Sequence, residues 1–128
     1  MSRGSRVGDV LGHGSSREGV HHWWQLRTTS VALAVLGVWF VMAVLSLPDL
    51  GYASVTAWAA RPFNAILLLL FVVVTTWHSA LGLQVVVEDY VPGKGVRLLI
   101  IVLLRFAHVL VGAAAVFAVL KLAIGGRV

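Results

Sequence analysis

The chain has 128 residues, 59% of them hydrophobic and only 12% charged, with a mean hydropathy of +0.94. A soluble domain carries about a quarter of its residues as charges to cover its surface, so this composition excludes one. Ten Lys and Arg against five Asp and Glu give a formal charge of +5 and a pI near 10.8. In a soluble chain that balance would suggest nucleic acid. Here the basic residues stand mostly at the ends of apolar runs, where they meet lipid headgroups, and no nucleic-acid partner is expected. With no cysteine in the chain, disulfides, thiolate metal sites and iron–sulfur ligation by this polypeptide are excluded.

The first 20 residues include Gly4, Ser5, Gly8, Gly12, Gly14, Ser15 and Ser16 and read as a flexible tail (1–20) ahead of a three-helix transmembrane domain (21–128). Crossing the hydrocarbon core takes about 20 mostly apolar residues. Three stretches qualify, at about 28–47, 63–87 and 96–124. The first ends at Pro48-Asp49. The second opens at Pro62-Phe63, where proline suits the first helical turn. The third follows Pro92-Gly93 and stops before Gly125-Gly126. The first apolar run is too long and begins too late for a signal peptide. Gly112 to Ala115, with Gly37 and Gly82, are small residues of the kind that let membrane helices approach closely.

Lys and Arg set the orientation. Arg3, Arg6, Arg17 and Arg27 precede the first span, and Lys94 and Arg97 lie in the second connection. Arg61, Lys121 and Arg127 fall on the opposite side. The bias puts the N-terminus in the cytoplasm and the C-terminus outside. The expected fold is therefore an all-α membrane protein of three transmembrane helices, with a cytoplasmic N-terminus and a periplasmic C-terminus.

Ionisable groups inside spans are costly and mark functional positions by default. His78, Arg105 and His108 stand out. His78 precedes Asp89 by eleven residues, about 17 Å of helix, which puts it near the bilayer midplane. Gly82, one turn further on the same face, would leave room for a flat ligand. Neutral imidazole is a strong axial ligand for haem iron, while the plain alternative is a hydrogen bond from His78 to another helix. Before the first span, Trp23 and Trp24 read as interfacial anchors. Arg27 either snorkels to water or pairs with a carboxylate such as a haem propionate. Glu88, Asp89 and Tyr90 follow the second span; they are either a solvated helix end or a quinone headgroup site. In the latter the Tyr90 hydroxyl donates to a quinone oxygen and Asp89 orients it or relays protons.

The stretch from His78 through Gly82, Gln84 and Glu88 to Asp89-Tyr90-Val91 resembles the signature of the smaller hydrophobic anchor subunit of succinate dehydrogenase, respiratory complex II. In that family a haem-ligating histidine is followed eleven residues later by Asp-Tyr. Glu18 to Trp24 with Arg27-Thr28 is similar to the segment before the first helix of its bacterial members, and the resemblance covers about residues 17–98. It implies that His78 is one axial ligand of haem b, with the second histidine from the larger cytochrome b anchor subunit. It implies that Tyr90 hydrogen-bonds ubiquinone with support from Asp89, and that His21 and Arg27 lie near the haem propionates. It also implies docking of the flavoprotein and iron–sulfur subunits within the tricarboxylic acid cycle and respiratory chain. No catalytic residue and no dehydrogenase activity are expected of this chain alone.

His108, eleven residues beyond Arg97, falls at about the depth of His78, so an intrachain bis-histidine haem is geometrically open, although the family pattern assigns the second ligand to the partner. A packed, hydrogen-bonded role suits His108 better. Arg105 is expected to face the protein interior, a haem propionate or a bound lipid. Two alternatives stand beside the succinate:ubiquinone oxidoreductase anchor: a fumarate reductase anchor, and a transporter subunit relaying protons or ions through His78, Arg105 and His108. No transit segment is apparent before the first span, which favours a bacterial cytoplasmic membrane.

Overall fold

The structure, a computed structural model, describes residues 16–125. Among the described residues there are four helices and no strand: α1 (Ser16–Leu45), α2 (Tyr52–Ala59), α3 (Pro62–Tyr90) and α4 (Lys94–Gly125). Helices α1, α3 and α4 are long and apolar enough to cross a membrane. The chain is a multi-pass, all-α membrane protein. Most of the expected tail lies outside the described residues, but its last five, 16–20, already belong to α1. The 30, 29 and 32 residues of the long helices correspond to about 45, 43 and 48 Å. Each exceeds the roughly 30 Å hydrocarbon thickness, so their ends lie in the headgroup layers.

Local chemistry explains the breaks. Proline occupies the first turn of α3, and Arg61 in an extended conformation precedes it. Its end comes at Val91, also extended, ahead of Pro92, because a residue before proline is driven out of the helical region. The short α2 was not expected. Asp49 initiates it: one carboxylate oxygen accepts the Gly51 backbone N–H at 2.7 Å and the other accepts the Ser54 hydroxyl at 2.9 Å. Trp58 then stacks on Trp39 of α1, with ring centroids 6.0 Å apart. Phe40 bridges this pair to Phe71 of α3, 5.2 Å away. Such aromatic contacts contribute about 0.5–1.5 kcal/mol each beyond burial. The Asn64 amide donates to the Trp58 carbonyl at 2.9 Å, so this buried polar group is satisfied.

Helix α3 is the centre of the bundle. It packs against both α1 and α4, which do not pack against each other, and α2 lies against α3 and α4. Apart from Ala59 and Ala65, no hydrophobic side chain among the described residues is fully buried. Large apolar residues such as Val35, Val38, Phe106 and Leu110 are instead mostly exposed. In water this would be an untenable surface. In lipid, the outward faces meet a solvent as apolar as they are.

Of the small residues expected at helix contacts, Gly112 is the one that makes a close contact. A Cβ there would stand 3.0 Å from Thr76 Cγ2 on α3, whereas at Gly37 and Gly82 it would meet nothing within 4 Å. Those two glycines are not packing points within this chain. Gly112→Leu should therefore force α3 and α4 apart and cost about 1–3 kcal/mol by overpacking. Gly82→Ala should be nearly neutral for the isolated chain. A thermal-unfolding series on the two variants in the same detergent would check the contrast.

Candidate functional site

The ionisable residues inside the spans fall on two sides of α3. His78 is half-buried and faces α1, where its Nδ1 lies 2.9 Å from Thr29 Oγ1. The two meet because they sit at matching depths. Thr29 is thirteen residues from the start of α1, and His78 is twelve from the end of the antiparallel α3. Thr29 has a single hydroxyl proton, and the backbone carbonyls of Gln25 at 2.7 Å and Leu26 at 3.1 Å compete for it. The shorter contact, to the preceding turn, takes it. The Thr29 oxygen then accepts from Nδ1 when His78 is the Nδ1–H tautomer. That tautomer leaves Nε2 with its lone pair, the state a histidine needs to ligate a metal. Gly82, one turn away, presents open space in place of a side chain.

The other expected site residues are not gathered around His78. His21 is exposed and its Nε2 lies 3.1 Å from the Gln25 amide nitrogen. The Arg27 guanidinium sits over the Trp23 ring, 5.3 Å from its centroid. Such a contact is worth about 0.5–1 kcal/mol at an exposed position. Trp23 and Trp24 meet edge to face at 5.2 Å. Asp89 and Tyr90 are the last two residues of α3, not a loop after it, and both are exposed. The phenol is 81% exposed and its hydroxyl has no hydrogen-bond partner among the described residues. It is therefore free to bond a molecule from outside this chain.

On the opposite side of α3 lies a second polar set. His108 Nδ1 is 2.7 Å from the Leu104 carbonyl and must carry a proton to bond it. Its Nε2 then accepts the Ser79 hydroxyl, 3.2 Å away. His108 does lie at the level of His78, since Ser79 is the next residue. Both its nitrogens are engaged, however, and it contacts a different face of α3. The intrachain bis-histidine arrangement is therefore not present, and the hydrogen-bonded packing role is. Arg105 donates to Gln84 Oε1 at 3.0 Å, and the Gln84 amide donates in turn to Glu88 Oε1 at 2.8 Å. Arg97 donates to the Glu88 carbonyl at 3.4 Å. The polar ladder climbs α3 from the hydrocarbon region to the membrane surface. Arg105 is exposed rather than enclosed in the protein interior, as burial had been expected.

Among the described residues no group of three or more His, Asp or Glu could hold a metal ion. A metal on His78 therefore needs donors from elsewhere. Thr29, Ser79 and Gln84 were not singled out by sequence. Counting Thr29 and His78 from the same membrane surface matches their depths, while the facing of the two helices is what brings them together.

A sequence profile described as the succinate dehydrogenase/fumarate reductase transmembrane subunit matches residues 1–120. The chain belongs to this family. It is 33% identical to the succinate dehydrogenase hydrophobic membrane anchor subunit of Paracoccus denitrificans over 117 residues, 91% of this chain and 90% of that one. It is likewise 33% identical to the same-named subunit of Rickettsia conorii over 93 residues, 72% of this chain and 74% of the relative. A succinate dehydrogenase membrane anchor subunit of Reclinomonas americana is 29% identical over 70% of this chain and 78% of its own length. The family resemblance carried by the His78-to-Tyr90 block and the His21-to-Arg27 segment is thus borne out. The three spanning helices agree with the family's description as a transmembrane subunit.

Proposed function

We propose that this chain is the smaller membrane anchor of a bacterial succinate:ubiquinone oxidoreductase. In this reading it docks the flavoprotein and iron–sulfur subunits at the cytoplasmic membrane, N-terminus inward. It shares a haem b with the larger cytochrome b anchor subunit and contributes to the ubiquinone-reduction site. The relatives' names favour succinate dehydrogenase within a family whose description also includes fumarate reductase. The observation that carries the haem assignment is the Thr29–His78 hydrogen bond, which holds the imidazole with Nδ1 protonated and Nε2 free.

The residues present fit the group. His78 would supply one axial ligand near the bilayer midplane, and the gap at Gly82 would admit a porphyrin edge. A second histidine would come from the partner anchor, since both nitrogens of His108 are already engaged. His21 and Arg27, both exposed at the same end of α1, are assigned to the propionates. When bound, haem b stores and passes a single electron. Thr29 does the positioning: by fixing the ring's tautomer and rotation it raises the basicity of the ligating nitrogen.

At the headgroup layer, the unpartnered Tyr90 hydroxyl would donate a hydrogen bond to a quinone carbonyl oxygen. Asp89, exposed beside it, would orient the phenol and pass protons from the aqueous side. Reduction to quinol takes two electrons and two protons. In this reading the electrons arrive singly from the iron–sulfur subunit, and the protons come from water at a site that opens on the surface. The chain itself performs no dehydrogenation.

Purification of the assembled complex with identification of its accompanying chains, followed by a reduced-minus-oxidised spectrum, tests the assignment. His78→Leu should remove the haem b signal while the subunits still co-purify. Thr29→Val should weaken haem retention by about 10–100-fold, the usual effect of losing a ligand's hydrogen-bond partner, and Thr29→Ser should restore it. A haem signal unaffected by His78→Leu would remove the assignment. Tyr90→Phe should slow ubiquinone reduction by about 10–100-fold, in the range of a lost proton-transfer group, while succinate oxidation with an artificial acceptor persists. Steady-state assays with the two acceptors separate these effects.

A further inference from the structure

A groove of about 560 Å³ runs between α3 and α4, with His22 and Gln25 of α1 at one edge. It lies on a different side of the bundle from the candidate haem position. On α3 its wall is the stripe Val72, Thr76, Ala80 and Gln84 together with Val73, Trp77 and Leu81. At 100° per residue, His78 is about 145° from the centre of that stripe and Gly82 about 175°. Its α4 wall runs the eleven residues from Arg105 to Val116, about 16 Å, and is apolar apart from His108, both of whose nitrogens are already hydrogen-bonded. Gly112, lacking a side chain, keeps it deep.

Its upper end is charged. Arg105 lines it with a full positive charge whose one hydrogen bond among the described residues is to a neutral amide, Gln84. A ring nitrogen of His22, also lining the groove, is buried with no partner. Helix α3 exceeds the hydrocarbon thickness by about 13 Å, so roughly 6–7 Å of it stands in each headgroup layer when it is centred. Gln84 is six residues, about 9 Å, from the end of α3. The guanidinium bonded to it therefore lies within a few ångströms of the boundary where lipid phosphates begin. Arg97 lies above it on α4. The Glu88 carboxylate is also nearby, with one oxygen occupied by the Gln84 amide. Asp89 faces the other side of α3.

We propose that this groove is a binding site for an anionic phospholipid, with its phosphate on Arg105 and one acyl chain laid along Val109, Gly112 and Val116. An uncompensated cation at the hydrocarbon edge needs an anion to offset its desolvation, and Arg105, exposed on the groove with only a neutral amide as its partner, offers its guanidinium to a phosphate. Beneath Arg105 the polar groups that line the groove, His108 and Thr76, are already hydrogen-bonded within the chain, so the slot suits an acyl chain. The site does not depend on the haem and quinone reading, because it uses none of those residues.

The test uses the whole complex, stripped of lipid and titrated with phosphatidylglycerol or phosphatidylcholine in detergent micelles, with bound lipid counted by native mass spectrometry. Phosphatidylglycerol should bind preferentially. Arg105→Gln should weaken it by about tenfold, the effect of losing one charge-assisted hydrogen bond. Val109→Trp, a substitution at an exposed groove residue that leaves Arg105 intact, should block the chain slot and reduce retention as much. In both variants the haem spectrum should be unchanged, which separates failure here from failure of the proposed function. Equal binding of the two lipids, undiminished phosphatidylglycerol on both variants, or a partner helix covering the groove in the complex would each overturn the proposal. If Arg105→Gln does not assemble, Val109→Trp decides alone.

Discussion

Inside a bilayer an unpaired polar group has no water to turn to, and that constraint organises this chain at every level. It makes the backbone helical, since a lipid-exposed segment must satisfy its own N–H and C=O groups. It then acts on side chains. Thr29, Ser30 and Thr76 return their hydroxyl protons to carbonyls of the preceding turn, and Ser79 gives its own to His108. The Thr29 hydrogen bond has a further effect. A hydroxyl committed to its own helix can only accept from a neighbour, and this one-way polarity turns His78 into a proton donor at one nitrogen and a lone-pair donor at the other.

The spans and their number were legible because apolar length is a one-dimensional property. Depth was legible too: His78 and His108 were matched by counting residues, and Ser79 beside His108 bears that out. Azimuth was not. Which way a helical residue points is meaningful only relative to the neighbours, and nothing in the amino-acid order says that α3 alone touches both α1 and α4. For the same reason Gly37, Gly82 and Gly112 looked alike, although only Gly112 meets another helix closely. Helix α2 escaped notice because its eight residues are too few to declare a period. It exists through the Asp49 turn and the packing of Trp58 on Trp39, which are tertiary facts.

The candidate site is legible to a similar degree. The spacing from His78 to Asp89 and Tyr90 placed an imidazole at mid-depth and a phenol at the surface of one helix, and α3 runs unbroken between them. What the spacing did not supply was support. Thr29 and Gln84 are ordinary residues for a membrane helix, and their importance arises only from the partner each one meets across a helix boundary.

Two exposed arcs remain on α3 once α1 and α4 are in place, and they differ in kind. The arc of His78 and Gly82 has an imidazole and a missing side chain at mid-depth, with Asp89 further along it at the membrane surface. The opposite arc has the Arg105 cation above a mostly apolar slot, and both nitrogens of His108 on it are engaged. A membrane protein of this size has too little interior for sites to be shielded by burial. Separating them around one helix achieves the same end, with an imidazole beside a missing side chain on one face and a cation above an apolar slot on the other.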